Sequence, residues 1–249
     1  MKTRLDKLMM ERRLAPSRER AQALIIAGRV LVNEQKIAKP GTPVANDVTV
    51  RVLGTDLRYV SRGGLKLEHA LAHWQIDLRG KICLDVGTST GGFTDCMLQH
   101  GAAYVIGIDT GYGQVDARLR QDSRLELLEK TNARYLTPAH LSRSIDFFAM
   151  DVSFISATLV LEPVLSAVRS KRPADAPGLE GVILVKPQFE VGREGVGKGG
   201  IVRDDALQLQ AVDRVKAAVV KEGGSEIQVI DSPILGAEGN REFLLHARL

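Results

Sequence analysis

One stretch constrains this chain more than any other: Lys81-Ile-Cys-Leu-Asp-Val-Gly-Thr-Ser-Thr-Gly-Gly-Phe-Thr94. A short apolar run ends beside an acid, then passes through glycines and hydroxyls into a helix-like segment. That order spells strand, tight turn and helix, the unit of an α/β fold. Gly87, Gly91 and Gly92 carry no Cβ, so the turn can take positive φ and bring backbone close to a ligand, while the following helix offers unpaired N–H groups. Thr88, Ser89, Thr90 and Phe93 complete the turn. A second apolar run, Ala103-Tyr-Val-Ile-Gly-Ile-Asp109, ends in another acid, at the offset where a carboxylate meets ribose hydroxyls in nucleoside-binding α/β folds. The spacing Gly87-x-x-x-Gly91-Gly92 is not the G-x-G-x-x-G of dinucleotide enzymes. Asp85, just before the first glycine, would repel a pyrophosphate but attract the amino group of a methionine. The pocket therefore reads as one for S-adenosylmethionine. An unrelated α/β protein could carry the same turn, so the rest of the chain has to decide.

The remainder alternates strand and helix. Strands are expected near 81–86, 103–108, 125–131, 145–151 and 181–186, and helices near 91–100, 113–119, 155–168 and 204–222. The runs 226–235 and 242–249 are joined by only six residues, which makes them an antiparallel pair. With 249 residues, 44% of them apolar, the chain can bury the core of one large or two unequal domains. No signal-like stretch opens it, and no apolar run approaches the ~20 residues of a membrane span, so a cytoplasmic protein is expected. Cys83 and Cys96 lack the paired spacing of a zinc site and read as buried thiols; no metal is expected.

Charge is uneven. Residues 1–60 hold 12 Lys and Arg against 6 Asp and Glu, whereas residues 61–249 hold 22 against 24. A basic module joined to a near-neutral one suits a polyanion such as RNA. Within it, Leu5, Leu8 and Met9 recur at helical spacing, Ser17 is placed to cap a second helix over 18–27, and Gly28 ends that helix. Short strands follow around Val30–Asn33 and Val48–Val52. Arg4-Leu-Asp, Ser17-Arg18, Ala21, Ile25, Gly28-Arg-Val and Val32-Asn33 together resemble the S-four-like RNA-binding domain. The resemblance implies that Arg4, Arg12, Arg13, Arg18, Arg20 and Arg29 form an RNA-phosphate face, with Arg18 closest to RNA. The expected domains are 1–57 for this module, 58–61 as a short linker and 62–249 for the α/β domain.

The α/β domain opens on Arg62-Gly-Gly-Leu-Lys66, the start of an amphipathic helix in which a lysine stands early, against the macrodipole. Asp151 ends the fourth strand, Lys186 the fifth, and Glu242 starts the last. A parallel sheet finished by an antiparallel strand resembles class I (Rossmann-like) methyltransferases, and the order Lys66, Asp151, Lys186, Glu242 resembles the FtsJ-like ribose methyltransferases. Taken with the basic module, the whole chain is similar to the TlyA family, also called haemolysin A proteins, which methylate cytidine 2′-hydroxyls of ribosomal RNA. The resemblance implies that these four residues are catalytic. It also implies that Asp85 to Phe93 hold the methionine end of the cofactor, Asp109 its ribose and Asn132 its adenine, and that the partner is ribosomal RNA or a ribosomal subunit.

Chemistry constrains the four. A ribose hydroxyl is a weak nucleophile, so a lysine acting as its base must first be rid of its own proton. Lys186 is the expected base, Asp151 and Lys66 orient the hydroxyl, and Glu242 fixes Lys66. The target nucleotide has to be swung out of its helix. Phe154, three residues after Asp151, and Phe189, three after Lys186, are the candidate stacking platforms; a core phenylalanine is the competing reading of Phe154. The loop Gly192–Gly199 nearly spells a phosphate loop but has Gly199 where Ser or Thr would bind Mg²⁺. Two other classes stay open from the sequence: a non-catalytic RNA-binding protein, which would lack the cofactor residues, and a membrane-active haemolysin, which would need an apolar or strongly amphipathic segment.

Overall fold

A computed structural model of the chain describes residues 2–15, 17–53, 58–236 and 239–249. It divides into two compact units, Met1–Asp56 and Leu57–Leu249.

The first unit runs β1 (Lys2–Arg4), α1 (Leu5–Glu11), α2 (Arg18–Ile26), β2 (Val30–Val32), β3 (Gln35–Lys36), β4 (Pro43–Ala45) and β5 (Val50–Val52). Its small core is the apolar stripe of the two helices, with Leu5, Met9, Ala21, Leu24 and Ile25 closing on Val30, Val32 and Val44. Ser17 caps α2 by accepting from the Arg20 N–H at 3.2 Å. Asn33 and Glu34 both take positive φ, so β2 turns directly into β3 through a two-residue hairpin loop. The pairing of β1 with β4 was invisible in the sequence. Both are three residues long, and β4 lies in a Pro-flanked stretch that reads as irregular connection.

The second unit contains α3 (Gly63–His73), β6 (Ile82–Val86), α4 (Gly92–Gln99), β7 (Tyr104–Ile108), α5 (Ala117–Arg120), β8 (Leu125–Leu128) and β9 (Phe147–Met150). It continues with α6 (Thr158–Lys171), β10 (Glu180–Val185), α7 (Pro187–Glu190), α8 (Asp205–Lys221), β11 (Ser225–Asp231) and β12 (Phe243–Arg248). The strands form one sheet in the order β11-β12-β10-β9-β6-β7-β8. β12 lies antiparallel between β10 and β11, and every other neighbouring pair is parallel. This is the expected class I methyltransferase sheet with an antiparallel last strand.

Strand alternation distributes the core over both faces. Leu84, Val86, Ile106 and Ile108 pack under α6 and α8, while Cys83 and Val105 pack against α3 and α4. Both cysteines are buried, and burial pushes each thiol up to about 12. The expected helix over 113–119 is reduced to the single turn α5, leaving Gly111–Asp116 as loop at the sheet edge.

Residues 58–61, read from the sequence as a linker, pack within the second unit. Tyr59 is only 2% exposed, a Cβ on Gly64 would stand 2.3 Å from its ring, and the Val60 N–H donates to Asp95 Oδ2 at 2.7 Å. The rest of the connection, residues 54–57, lies outside the described residues.

Candidate active site

All strands of this sheet but β12 point their carboxyl ends to one edge, where ligands bind in such folds. There the glycine turn follows β6. Gly87 has φ +93°, and a Cβ on it would lie 2.4 Å from the Asp151 carbonyl oxygen, so only glycine fits. Ser89 also takes positive φ, and its N–H donates to Asp109 Oδ2 at 2.7 Å. Asp109 Oδ1 accepts from the Gly111 N–H at 2.7 Å. Asp109 therefore braces the turn while facing a cavity of about 350 Å³ whose walls include Gly87, Ser89, Asn132, Asp151 and Phe154. A neighbouring cavity of about 230 Å³ shares Gly87, Ser89 and Asp151 and adds Lys66, Thr88, Thr90, Gly92 and Phe93. Asn132 stands at the far rim, where its side chain accepts from the Arg134 N–H at 3.0 Å and starts a 3₁₀ turn.

Two residues of the expected cofactor set line neither cavity. Gly91 makes room for Leu119, whose Cδ1 would be 2.4 Å from a Cβ there. Asp85, expected to face the ligand's amino group, is fully buried. It lies two residues after Cys83, hence on the α4 face of the strand, and the N-terminal end of α4 receives it. Its Oδ2 accepts from the Thr94 N–H at 2.9 Å and the Thr94 hydroxyl at 2.6 Å. Oδ1 has no hydrogen-bond partner among the described residues. Burial, reinforced by the charges of Asp151 and Asp109, pushes this carboxyl up to about 7.

Asp151 and Lys186 follow adjacent strands, β9 and β10, paired in register through Met150 and Ile183. Lys186 Nζ lies 2.6 Å from Asp151 Oδ1 and donates to Ser153 Oγ at 2.7 Å. Lys66 on α3 forms an ion pair with Glu242, 176 residues away at the entry to β12. Both members of that pair are buried. A Cβ on Gly236 would lie 2.1 Å from Glu242 Oε1. Lys66, Lys186 and Glu242 share the wall of a third cavity, about 440 Å³, with Ser153, Phe154, Phe189 and Asn240. The four ionisable residues singled out in the sequence thus stand together as two ion pairs around adjoining cavities. Ser153 was missed; its one signal was its place in the run Asp151-Val-Ser-Phe154.

Phe154 is 92% exposed, so the core reading fails. Its backbone is left-handed at φ +65°, and its ring sits 5.5 Å from that of Phe189. After α7, the Gly192–Gly199 loop leads to a segment fastened by Asn240, which donates to the Gly200 carbonyl at 2.9 Å and accepts from the Val202 N–H at 3.1 Å.

In the first unit one carboxylate organises the basic face. Asp6 is fully buried and accepts from Arg4 at 2.9 Å, Arg18 at 3.2 Å and Gln22 at 2.9 Å. Hydrogen bonding, chiefly from Arg4, holds it well below the usual carboxylate range. Arg4 and Arg18 remain half exposed beside it. Arg12 donates to the carbonyls of Val48, at 2.6 Å, and Asn46. Arg29 donates to the Leu53 carbonyl at 2.9 Å. Arg13, in the turn after α1, is exposed, and Arg20 is half-buried. Among the described residues no cluster of His, Cys, Asp and Glu is placed to hold a metal, and no helix is long and apolar enough to cross a membrane.

Residues 59–249 match the FtsJ-like methyltransferase family, and residues 3–49 match the S4 domain. YqxC of Bacillus subtilis (strain 168) is 48% identical over 98% of this chain and 85% of its own. The "16S/23S rRNA (cytidine-2'-O)-methyltransferase TlyA" of Mycobacterium tuberculosis is 41% identical, covering 99% of this chain and 90% of that one. A solved Streptococcus thermophilus structure that carries the hemolysin name superposes with a TM-score of 0.75 at 40% identity, over 99% of this chain and 88% of that one. With a match across nearly the whole second unit and relatives alike over nearly all of this chain, the chain belongs to the FtsJ-like methyltransferase family and carries an S4 domain at its N-terminal end.

Proposed function

We propose that this protein methylates the 2′-hydroxyl of a cytidine in ribosomal RNA, using S-adenosylmethionine. The observation that carries the reading is the meeting of two ion pairs, Lys186–Asp151 and Lys66–Glu242, where a nucleoside-sized cavity adjoins one bordered by the exposed ring of Phe154 and the half-buried ring of Phe189. The cavities fit the cofactor: no side chain projects from Gly87, Asp109 presents a carboxylate at the end of β7, and Asp151 borders both chambers.

S-adenosylmethionine supplies the methyl group as an electrophile on a sulfonium. Gly87 to Thr90, Gly92 and Phe93 line its methionine end, Asp109 holds its ribose hydroxyls, and Asn132 bounds the adenine side. Asp85 acts from below by fixing the start of α4 through Thr94. Lys186, in its neutral form after giving its own proton to solvent, receives the proton that the 2′-hydroxyl releases, and Asp151 and Ser153 hold its amine in place. Lys66, fixed by Glu242, orients the hydroxyl. Orientation alone offers on the order of 7–11 kcal/mol in ideal intramolecular cases, so a rigid pair of ion pairs is a strong catalytic device. Phe154, backed by Phe189, stacks on the base swung out of its helix. Arg4 and Arg18, held by Asp6, grip RNA phosphates with Arg12, Arg13, Arg20 and Arg29 around them. The substrate is rRNA within a ribosomal subunit, and the protein works in the cytoplasm.

The test uses ribosomal subunits from cells lacking the protein, with transfer of labelled methyl followed by mapping of 2′-O-methylated nucleotides. The wild-type chain should modify a cytidine ribose. Lys186→Ala should lower the rate by about 10²–10⁴-fold, the usual reach of general base catalysis, with cofactor affinity by calorimetry unchanged. Methyl found on a base, or a fully active Lys186→Ala, overturns the reading.

A further inference from the structure

The loops after β9 and β10 carry most of the proposed chemistry: Asp151, Ser153 and Phe154 on one, Lys186 and Phe189 on the other. At the surface they touch through Lys186, which reaches Asp151 and Ser153, and through the two phenyl rings. Asp151 and Ser153 hold the Lys186 amine, but nothing in these contacts fixes the Phe154 ring, which is open to solvent. Phe154 moreover holds a left-handed backbone that a bulky residue rarely adopts, and such a conformation persists only where the surroundings over-determine it.

Beneath them lies a third connection. Glu190, at the end of α7, is 3% exposed. Its Oε1 accepts from the Ala157 N–H at 2.7 Å and its Oε2 from the Ser156 hydroxyl at 2.5 Å. Ser156 Oγ also lies 2.7 Å from Thr158 Oγ1 and accepts from the Thr158 N–H at 3.2 Å. Ala157, the N-cap of α6, has no side chain that could cap the helix, so Ser156 serves the Thr158 N–H and a carboxylate from the neighbouring segment meets the Ala157 N–H, where negative charge is favoured. The Glu190 main chain is fastened in turn, since Arg214 on α8 donates to its carbonyl at 2.7 Å. Burial pushes the Glu190 carboxyl up, and the bonds from Ser156 and Ala157 oppose that shift.

We infer that Glu190 is a positioning residue for methyl transfer: by clamping Ser156 and Ala157 it locks the two loops together, so that Phe154, Phe189 and the Lys186–Asp151 pair are presented as one rigid wall. The inference rests on the proposed function of these loops. A cap that merely stabilised α6 would lower the melting temperature and leave the chemistry of folded protein untouched. A clamp acts on the rate of folded protein.

The experiment compares wild type, Glu190→Ala, Glu190→Gln and Ser156→Ala in the full chain, in single-turnover methylation of ribosomal subunits at saturating S-adenosylmethionine. Glu190→Ala should slow transfer by about 100-fold, the cost of a displacement near 1 Å in a positioned reaction. Its cofactor affinity should stay at the wild-type value. Glutamine can accept from Ala157 with its oxygen and donate to Ser156 with its nitrogen, so Glu190→Gln should recover most of the rate. A second readout needs no RNA. The chain has six phenylalanines; labelled with 4-fluorophenylalanine, the protein should show two ¹⁹F resonances, assigned by Phe154→Leu and Phe189→Leu, that move in Glu190→Ala but not in Glu190→Gln. A folded Glu190→Ala with wild-type rate, a rate loss matched by lost cofactor affinity, or an unchanged fluorine spectrum each overturns the clamp. Should Glu190→Ala not fold, Ser156→Ala, which removes one arm, must show the same two effects at smaller size, and its failure is equally decisive. If wild type binds cofactor yet does not methylate rRNA, the functional reading falls, and the fluorine spectra alone judge the clamp.

Discussion

Asp85→Asn isolates the one acid that the fold buries under the glycine turn. The wild-type carboxyl is fully buried, with one oxygen on Thr94 and the other without a partner among the described residues. Its native value is raised to about 7, against ~3.9 for an aspartate in an unfolded chain. The sign follows from proton counting. Between these values the native state binds more protons than the unfolded one, so stability is greatest at the acid end and falls as pH rises towards about 7, levelling off above it. At ~1.4 kcal/mol per pH unit, the loss between pH 5 and 8 is roughly 2.5 kcal/mol for this group alone. The amide cannot ionise. It keeps an oxygen for Thr94 and leaves an unpartnered donor behind, a pH-independent cost of about 1–3 kcal/mol. Urea unfolding of both proteins from pH 5 to 8, followed by the fluorescence of Trp74, the chain's one tryptophan and a residue of the second unit, measures the difference. The wild-type curve should descend relative to the Asp85→Asn curve. Parallel curves over that range would refute the account of Asp85 as a buried, half-protonated brace.

Two further outcomes test the RNA-facing residues. Arg18→Gln should weaken RNA binding and reduce the slope of log affinity against log salt by about 1, leaving cofactor affinity unchanged; an unaltered slope removes Arg18 from the phosphate face. Glutamine is the informative choice, because a glutamate there would stand against the buried Asp6 and unfold the unit for an unrelated reason. Phe154→Ala should change stability by no more than about 0.5 kcal/mol, since the ring is 92% exposed. It should abolish the fluorescence rise of 2-aminopurine placed beside the target nucleotide. A normal rise in this variant assigns base stacking elsewhere.

What the sequence determined by itself is local or periodic. Glycines at 87, 91 and 92 mark a turn that only backbone freedom permits, alternation in β6 and β7 sets which residues face which helices, and the short link before the last strand, eleven residues between β11 and β12, makes it antiparallel. These signals depend on neighbours in the chain, and they carried the fold. Lys66, Asp151, Lys186 and Glu242 were picked out through resemblance, as four separate positions. What joins Lys66 to Glu242 across 176 residues is only the packing of α3 beside β12. Asp85 was read as facing a ligand because it precedes a glycine turn; its direction is set by the α4 face of the sheet, which turns it towards Thr94. Phe154 read equally as core or platform, since hydrophobicity says that a ring prefers burial but not that a positive φ at a strand's end will throw it outward. The bracing roles of Ser153, Asp6 and Glu190 were not legible in the sequence, because a hydroxyl or carboxylate becomes a brace only when the donors it serves, lying on other segments, are brought within about 3 Å by the tertiary fold.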